Sequence, residues 1–159
     1  MICFDTMTVI WGVQGIAKEG QSHMTARTKQ YIKYLDEKNE KIMIPTPALT
    51  EYLLHFEPAE QVKQQRIIQE NFIVPAFDIR AGVLAAELLG NTELFQKIVA
   101  EGDIDKIRVR TDAQIIATAI VNQAEKIISH DPDFIKLAQD RIAVEKVPVI
   151  HTQLDMDFE

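Results

Sequence analysis

Four acidic residues occupy positions from which they could share one metal site. Asp5 follows the amino-terminal apolar run, and Asp131 follows the apolar run 126–129. Asp112 precedes the segment that leads to the second of these runs, and Glu51 lies after a third. Carboxylates gathered in one pocket repel one another unless a cation is bound, and oxygen-only ligands suit Mg²⁺ or Mn²⁺. Because such ions can activate water and stabilise a phosphodiester transition state, the pattern favours phosphodiester hydrolysis.

Each acid also has an ordinary structural explanation. Asp112 could favour the dipole of a helix that begins beside it, and Asp131 could cap the turn at Pro132. Glu51 could be a solvated helical acid. Asp5 is harder to explain in this way, because a charge at the end of a buried strand is rare. The hypothesis of a metal site therefore depends on the joint placement of the four residues.

Short apolar segments that alternate with helical ones predict an α/β fold. Five segments are predicted as buried strands: residues 1–4, 42–44, 72–75, 126–129 and 147–150. The helical segments between them imply a three-layer α/β/α architecture with a central, mostly parallel five-stranded sheet. Pro148 places the last strand at an edge, because proline cannot donate to a sheet.

The segment around Asp112 is predicted to begin a helix. Thr111 and Gln114 match a capping box, and residues 102–110 are charged enough for a connector. A helix that starts there runs back across the sheet, so its first residue lies at the edge where parallel strands finish. Binding sites in such sheets form at that carboxyl edge, where Asp5 and Asp131 also lie. The sequence therefore predicts one acidic pocket there.

Length and charge limit the remaining possibilities. The chain has 159 residues and a net charge of −7, which predicts one domain, residues 1–150, followed by an acidic tail, residues 151–159. No apolar run reaches the ~20 residues of a membrane span, and no basic region of a secretory signal precedes Asp5, so we expect a cytoplasmic protein. The charge argues against a broad phosphate-binding surface, but it suits acids gathered around metal ions or a basic protein partner.

Four segments match a family pattern: Phe4–Thr6, Pro47–Glu51, Thr111–Ala119 and Ile128–Phe134. Together they resemble the PIN domain family and, within it, the VapC-type toxins. The resemblance implies a three-layer α/β fold, often in a homodimer, and cleavage of RNA by metal-activated water that leaves a 5′-phosphate. It also implies an antitoxin partner.

The family motifs assign roles to individual residues. The acidic cluster with its Mg²⁺ or Mn²⁺ would comprise Asp5, Glu51, Asp112 and Asp131. Thr6 and Ser129 match the supporting hydroxyl positions. Asp133 also falls in the motif and could assist or replace Asp131 as a ligand.

The sequence leaves three functional hypotheses. The first is an endoribonuclease toxin of a type II toxin–antitoxin pair, in which Arg108 and Arg110 could hold RNA phosphates, although solvation or an ion pair explains them as well. The alternatives are a non-toxin PIN nuclease in RNA processing and a non-catalytic PIN-like interaction module. A dehalogenase-like phosphatase would need a second aspartate soon after Asp5, and no glycine-rich phosphate loop is present. The RNA target, the antitoxin, the metal and the oligomeric state stay open.

Overall fold

The computed structural model describes residues 1–90 and 103–151, together with residues 93, 96 and 100. The strands are β1 (Ile2–Phe4), β2 (Ile42–Met43), β3 (Lys126–Ile128) and β4 (Ala143–Glu145). The helices are α1 (Thr6–Val9), a π-helical turn (Ile10–Gln14), α2 (Ser22–Glu37), α3 (Thr46–Leu53), α4 (Pro58–Asn71), α5 (Ile79–Gly90), α6 (Asp103–Val121) and α7 (Pro132–Ala138). The helix predicted over 92–100 and the acidic tail fall largely outside the described residues.

Within the described residues, the sheet is parallel and has four strands in the order β2-β1-β3-β4. The predicted fifth strand is therefore not confirmed. The predicted strand 72–75 makes only one bridge, between Ile73 and Met43. Ile73 N–H donates to Ile42 O at 2.9 Å and Ile44 N–H donates to Ile73 O at 2.8 Å. Pro75 O also accepts a hydrogen bond from Thr46 N–H at 3.1 Å, but Pro75 has no N–H to donate in return, so the ladder is interrupted there.

The last strand lies earlier than predicted, at Ala143–Glu145 rather than 147–150. Two features prevent residues 147–150 from extending the ladder. Pro148 has no N–H to donate, and the N–H of Val147 donates to His130 Nε2 at 3.0 Å. The segment is apolar because it contributes to the core, in which Val147 is fully buried.

Helices cover both faces of the sheet. Ile127 and Ile128 are neighbours in β3, so their side chains point to opposite faces, and both are fully buried. The chain steps from β1 to β2 on one side and reaches β3 on the other, and right-handed crossovers then place the intervening helices on opposite faces. The α/β architecture with a parallel sheet agrees with the prediction.

Helix α6 begins earlier than the sequence indicated. The predicted connector 102–110 is helical from Asp103 onward, and Asp112 lies well inside the helix. Thr111 makes no cap, because its hydroxyl donates to Ile107 O one turn earlier, at 3.1 Å. The helix owes its position to its buried residues: Val109, Ala113, Ile115, Ile116, Ala117 and Ala119. Among the described helices, none is long and apolar enough to cross a membrane.

Candidate active site

The four predicted acids line one pocket at the carboxyl edge of the sheet. The pocket has a volume of about 440 Å³. It is lined by Asp5, Thr6, Met7, Ile10, Glu51, Leu54, His55, Arg108, Asp112, Asp131 and Phe134. The acids come from the end of β1, from α3, from α6 and from the turn after β3. Parallel strands that finish together, with helices that begin or pass beside them, bring these distant segments to one place.

Asp5 occupies the first turn after β1. It is buried and caps α1, because its Oδ1 accepts a hydrogen bond from Thr8 N–H at 2.8 Å. Burial raises the pKa of the Asp5 carboxyl, hydrogen bonds from Ser129 and Thr8 lower it, and the charge of Asp131 raises it again. A carboxyl group held in this way is oriented by the backbone, and none of the groups that shift its pKa is basic.

Asp112 is the least compensated acid in the pocket. It is 6% exposed, and its Oδ2 atom is buried without a hydrogen-bond partner among the described residues. Burial and the charges of Asp131 and Glu51 raise the pKa of Asp112 to about 8, although Arg108 acts in the opposite direction. A buried oxygen without a donor costs free energy unless something else occupies its lone pairs. A cation is the species that would serve both this oxygen and its acidic neighbours.

Glu51 is held in the pocket by Thr6. The hydroxyl of Thr6 donates to Glu51 Oε2 across 45 positions of the chain. Glu51 is partly exposed, so it can still turn toward the centre of the pocket. The hydroxyl predicted to support the site thus contacts one of the acids directly.

Asp131 faces the pocket, and Asp133 does not line it. Asp131 caps α7, with its Oδ1 accepting from Asp133 N–H at 2.9 Å, and its own N–H donates to Ser129 Oγ at 3.1 Å. The Asp133 carboxylate instead pairs with Arg108 at 3.1 Å and with Lys136 at 3.2 Å. Of the two acids, only Asp131 therefore lines the pocket.

The two predicted arginines differ in placement. Arg108 lines the pocket, and its side chain is about half exposed. Its guanidinium is within reach of solvent while it pairs with Asp133. Arg110 is exposed and is not among the residues that line the pocket. Of the two, Arg108 is the one placed to meet a phosphate that enters.

His55 is a pocket residue that the sequence analysis missed. It is exposed and lies one turn after Glu51, just beyond the end of α3. The spacing of four residues from a candidate acid is the signal that could have found it, because such residues share one side of a helix. A second, larger groove of about 720 Å³ opens beside Ile42 at the start of β2. That groove lies at the amino edge, where parallel sheets do not form their sites.

The donor set of the acidic pocket fits a hard divalent cation. It offers carboxylate oxygens and one buried oxygen without a partner, which is the chemistry that Mg²⁺ and Mn²⁺ prefer. Within the described ranges, however, no group of three or more His, Cys, Asp or Glu side chains is already gathered closely enough around one point to hold a metal ion. Ligation would therefore need side-chain rotations, which the partly exposed Glu51 and Asp131 can make.

Comparison with known proteins shows the fold of this chain but does not show its family. No family model matches the sequence, and no curated protein matches it. Among solved structures, the chain resembles one from the crystal structure of VapBC2 from Rickettsia felis bound to a DNA fragment from their promoter. The TM-score is 0.64, the sequence identity is 16%, and the match covers 93% of this chain and 100% of that chain. At this identity the likeness shows a shared fold alone.

Proposed function

We propose that this protein is a metal-dependent endoribonuclease that hydrolyses RNA phosphodiester bonds. The observation that carries the proposal is the buried, unpartnered Oδ2 of Asp112, in a pocket where burial and the neighbouring carboxylates raise the pKa of Asp112 to about 8. The fold shared with a chain of VapBC2 supports this proposal. Such a cluster of carboxylates would not serve a purely structural role, because a buried charge without a partner destabilises the folded state.

The residues of the pocket would have different roles in hydrolysis. Asp5, Glu51, Asp112 and Asp131 would hold Mg²⁺ or Mn²⁺. When bound, the ion supplies activation of water and stabilisation of negative charge on the phosphate. Thr6 orients Glu51, and Ser129 supports both Asp5 and the turn that carries Asp131. Arg108 would bind a non-bridging phosphate oxygen by exchanging its contact with Asp133 for one with the substrate.

The direct test is RNA cleavage by purified variants. Asp112→Asn and Asp5→Asn keep the size and shape of the side chains, so we expect folded proteins that have lost cleavage in Mg²⁺ or Mn²⁺. Asp36→Asn is the matched control, because Asp36 is an exposed acid outside this pocket. EDTA should abolish wild-type cleavage, and the products should carry 5′-phosphates. Retained cleavage in both pocket variants would overturn the proposal and favour a non-catalytic interaction module.

We further propose that the nuclease is the toxin of a toxin–antitoxin pair and that it forms a homodimer. The chain with the similar fold was crystallised as part of VapBC2, which supports a protein partner for this chain. The test is coexpression with the product of the adjacent reading frame. A toxin should arrest growth alone, lose that effect on coexpression, and copurify with the second protein. Unimpaired growth on expression of an active nuclease would favour an RNA-processing enzyme instead. Light scattering should give about twice the 18.1 kDa of one chain.

A further inference from the structure

Leu54 and His55 add an exposed apolar side chain and an exposed ring to the acidic pocket. Both follow the last residue of α3, and both line the same pocket as the four acids. Leu54 is 75% exposed, and the imidazole of His55 has no hydrogen bond, ion pair or ring contact with any described residue. A single exposed leucine is ordinary at a protein surface. An exposed leucine beside a free ring, both at the wall of one pocket, indicates a ligand that contacts them.

The turn that carries the Leu54–His55 pair is fixed from both sides. Tyr52 precedes the pair and is fully buried, and Phe56 follows it. The rings of Tyr52 and Phe56 pack edge to face, with 5.1 Å between their centroids. From α4, the Nε2 of Gln61 donates to the carbonyl oxygens of Leu53 and Phe56, both at 3.1 Å. Because this backbone is already held in place, a ligand would bind the pair without first having to order the turn.

The pocket has an apolar part as well as its acids. Met7, Ile10, Leu54 and Phe134 all line it. A metal ion and a phosphate group need none of these side chains, because charged and polar groups bind both. A nucleotide also carries a base, whose flat face stacks on rings and packs on apolar surface. The volume of about 440 Å³ lies within the roughly 300–1,000 Å³ of pockets that enclose organic ligands.

The charge of the protein also favours a contact of this kind. A chain of net charge −7 offers no broad positive surface along which an RNA backbone could bind. Within the described part of the chain, Arg108 is the one lysine or arginine that lines the pocket. Contacts with phosphates are therefore few, and part of the affinity for RNA has to come from contacts that do not depend on charge. Stacking of a base on a side-chain ring is such a contact.

We propose that Leu54 and His55 form a base-binding subsite, in which an unpaired RNA base beside the bond to be cleaved stacks on His55 and packs against Leu54. The identification of RNA rests on the proposed function. A base is free to stack in this way only outside a duplex, so the subsite selects single-stranded segments, loops and bulges. Every base has a flat face, so this contact adds little sequence preference.

The test measures binding of a fluorescein-labelled single-stranded RNA by anisotropy at pH 8, in Ca²⁺ and separately in EDTA. Ca²⁺ takes oxygen ligands and offsets the charge of the acids. Gel electrophoresis checks that the RNA stays intact, and EDTA alone decides if Ca²⁺ supports cleavage. The variants are Leu54→Ala/His55→Ala and His55→Phe. The matched control is His23→Ala/Ile79→Ala, because both of its residues are exposed and neither lines the pocket.

We expect Leu54→Ala/His55→Ala to bind the RNA about 10-fold more weakly, as for the loss of one stacked base. The slope of log affinity against log salt should not change, because no phosphate contact is lost. The control should bind like the wild type, and His55→Phe should retain most of the affinity because it keeps a ring at this position.

A series of RNAs with one abasic residue at successive positions locates the contacted base. At that position, loss of the base should weaken binding to the wild type by a similar factor of about 10. The same RNA should bind Leu54→Ala/His55→Ala no more weakly than the intact RNA does, because the contact is already absent. In Mg²⁺, this variant should also show a raised KM.

The outcomes separate this proposal from the proposed function. Equal affinities for Leu54→Ala/His55→Ala and the control would overturn the subsite, even if the wild type cleaves RNA. A loss that His55→Phe does not restore, or one that reduces the salt slope, would overturn stacking as the contact. A loss confined to the alanine variant, together with an abasic effect that this variant abolishes, would support the subsite even if no cleavage is found. Failure of the wild type to bind RNA in either condition would also overturn it.

Discussion

Asp112 combines two properties that ordinary surface acids lack. It is buried, and the charges of neighbouring carboxylates outweigh the charge of Arg108 in their effect on its pKa. Its raised pKa means that the folded protein, free of metal, binds a proton there more tightly than the unfolded chain does. The same group would release that proton when a cation takes its place, so protons and metal ions compete for this residue.

This competition predicts how stability depends on pH. The pKa of Asp112 is raised from about 3.9 in the unfolded chain to about 8 in the folded protein. Its stabilising contribution is therefore complete below the unfolded value and is lost as pH rises through 8. In EDTA, Asp112→Asn should match the wild type below about pH 4, and its Tm should exceed that of the wild type by a growing amount as the pH rises to 8, as measured by thermal denaturation. Since one pKa unit corresponds to about 1.4 kcal/mol, the difference should reach a few kcal/mol. Parallel pH profiles for the two proteins would contradict this prediction.

Asp131 and Asp133 should differ sharply in their effect on cleavage. Asp131 lines the pocket, whereas Asp133 is engaged with Arg108 and Lys136. We expect Asp131→Asn to lower kcat by more than the roughly 10- to 100-fold that loss of a supporting residue costs. Asp133→Asn should leave kcat near that of the wild type and mainly lower KM, because Arg108 no longer has to give up its ion pair with Asp133 to bind a phosphate. Steady-state kinetics distinguish the two, and an equal loss of kcat in both variants would contradict the assignment.

At the scale of elements, close packing depends on small residues at a few contacts. Gly12→Ala would place a Cβ within 2.6 Å of Ile32 and should destabilise the protein by about 1–3 kcal/mol. Gly82→Ala is the matched control, because its Cβ would lie 3.8 Å from Phe77 and the residue is in the interior of α5. The control should be stabilised by roughly 0.5–1 kcal/mol. Urea denaturation measures both, and changes of the same sign would refute the packing argument.

Local sequence patterns located most elements but not all of their boundaries. Thr111 and Gln114 have the spacing of a capping box, yet the same spacing occurs inside α6, where Thr111 bonds back to Ile107. Burial of Val109 decides where the helix lies, and burial is a tertiary property. The last predicted strand was misplaced for a similar reason, because residues 147–150 are more apolar than residues 143–145. Neither pattern shows which backbone N–H groups already have other partners.

At the scale of the whole molecule, parallel topology explains why widely separated acids could be grouped from sequence. The ends of parallel strands lie at one edge of the sheet, so the pocket could be predicted even though the predicted start of α6 was wrong. The side-chain contacts within the site could not be predicted from sequence. The Thr6–Glu51 hydrogen bond and the Arg108–Asp133 ion pair depend on side-chain geometry. Whether the four acids act in catalysis stays a prediction.

Cation binding should stabilise the whole fold. A ligand that binds only the folded state adds about 2.7 kcal/mol at 100 times its Kd, so Mg²⁺ or Mn²⁺ should raise the Tm of the wild type at pH 8. Asp36→Asn should respond in the same way, and Asp112→Asn should not. Calorimetric titration provides the Kd independently. A Tm that rises equally in all three proteins would indicate binding outside the pocket.

The helix caps formed by Asp5 and Asp131 affect which substitutions the fold can tolerate. Each carboxylate accepts from a backbone N–H at the start of a helix through an oxygen that asparagine also has. An Asp codon becomes an Asn codon by one base change. Under the proposed function, a cell population that selects against cleavage therefore has a short route to chains that fold but no longer cut RNA. Under the proposed pairing with an antitoxin, such variants would still bind the antitoxin and would compete for it with active copies.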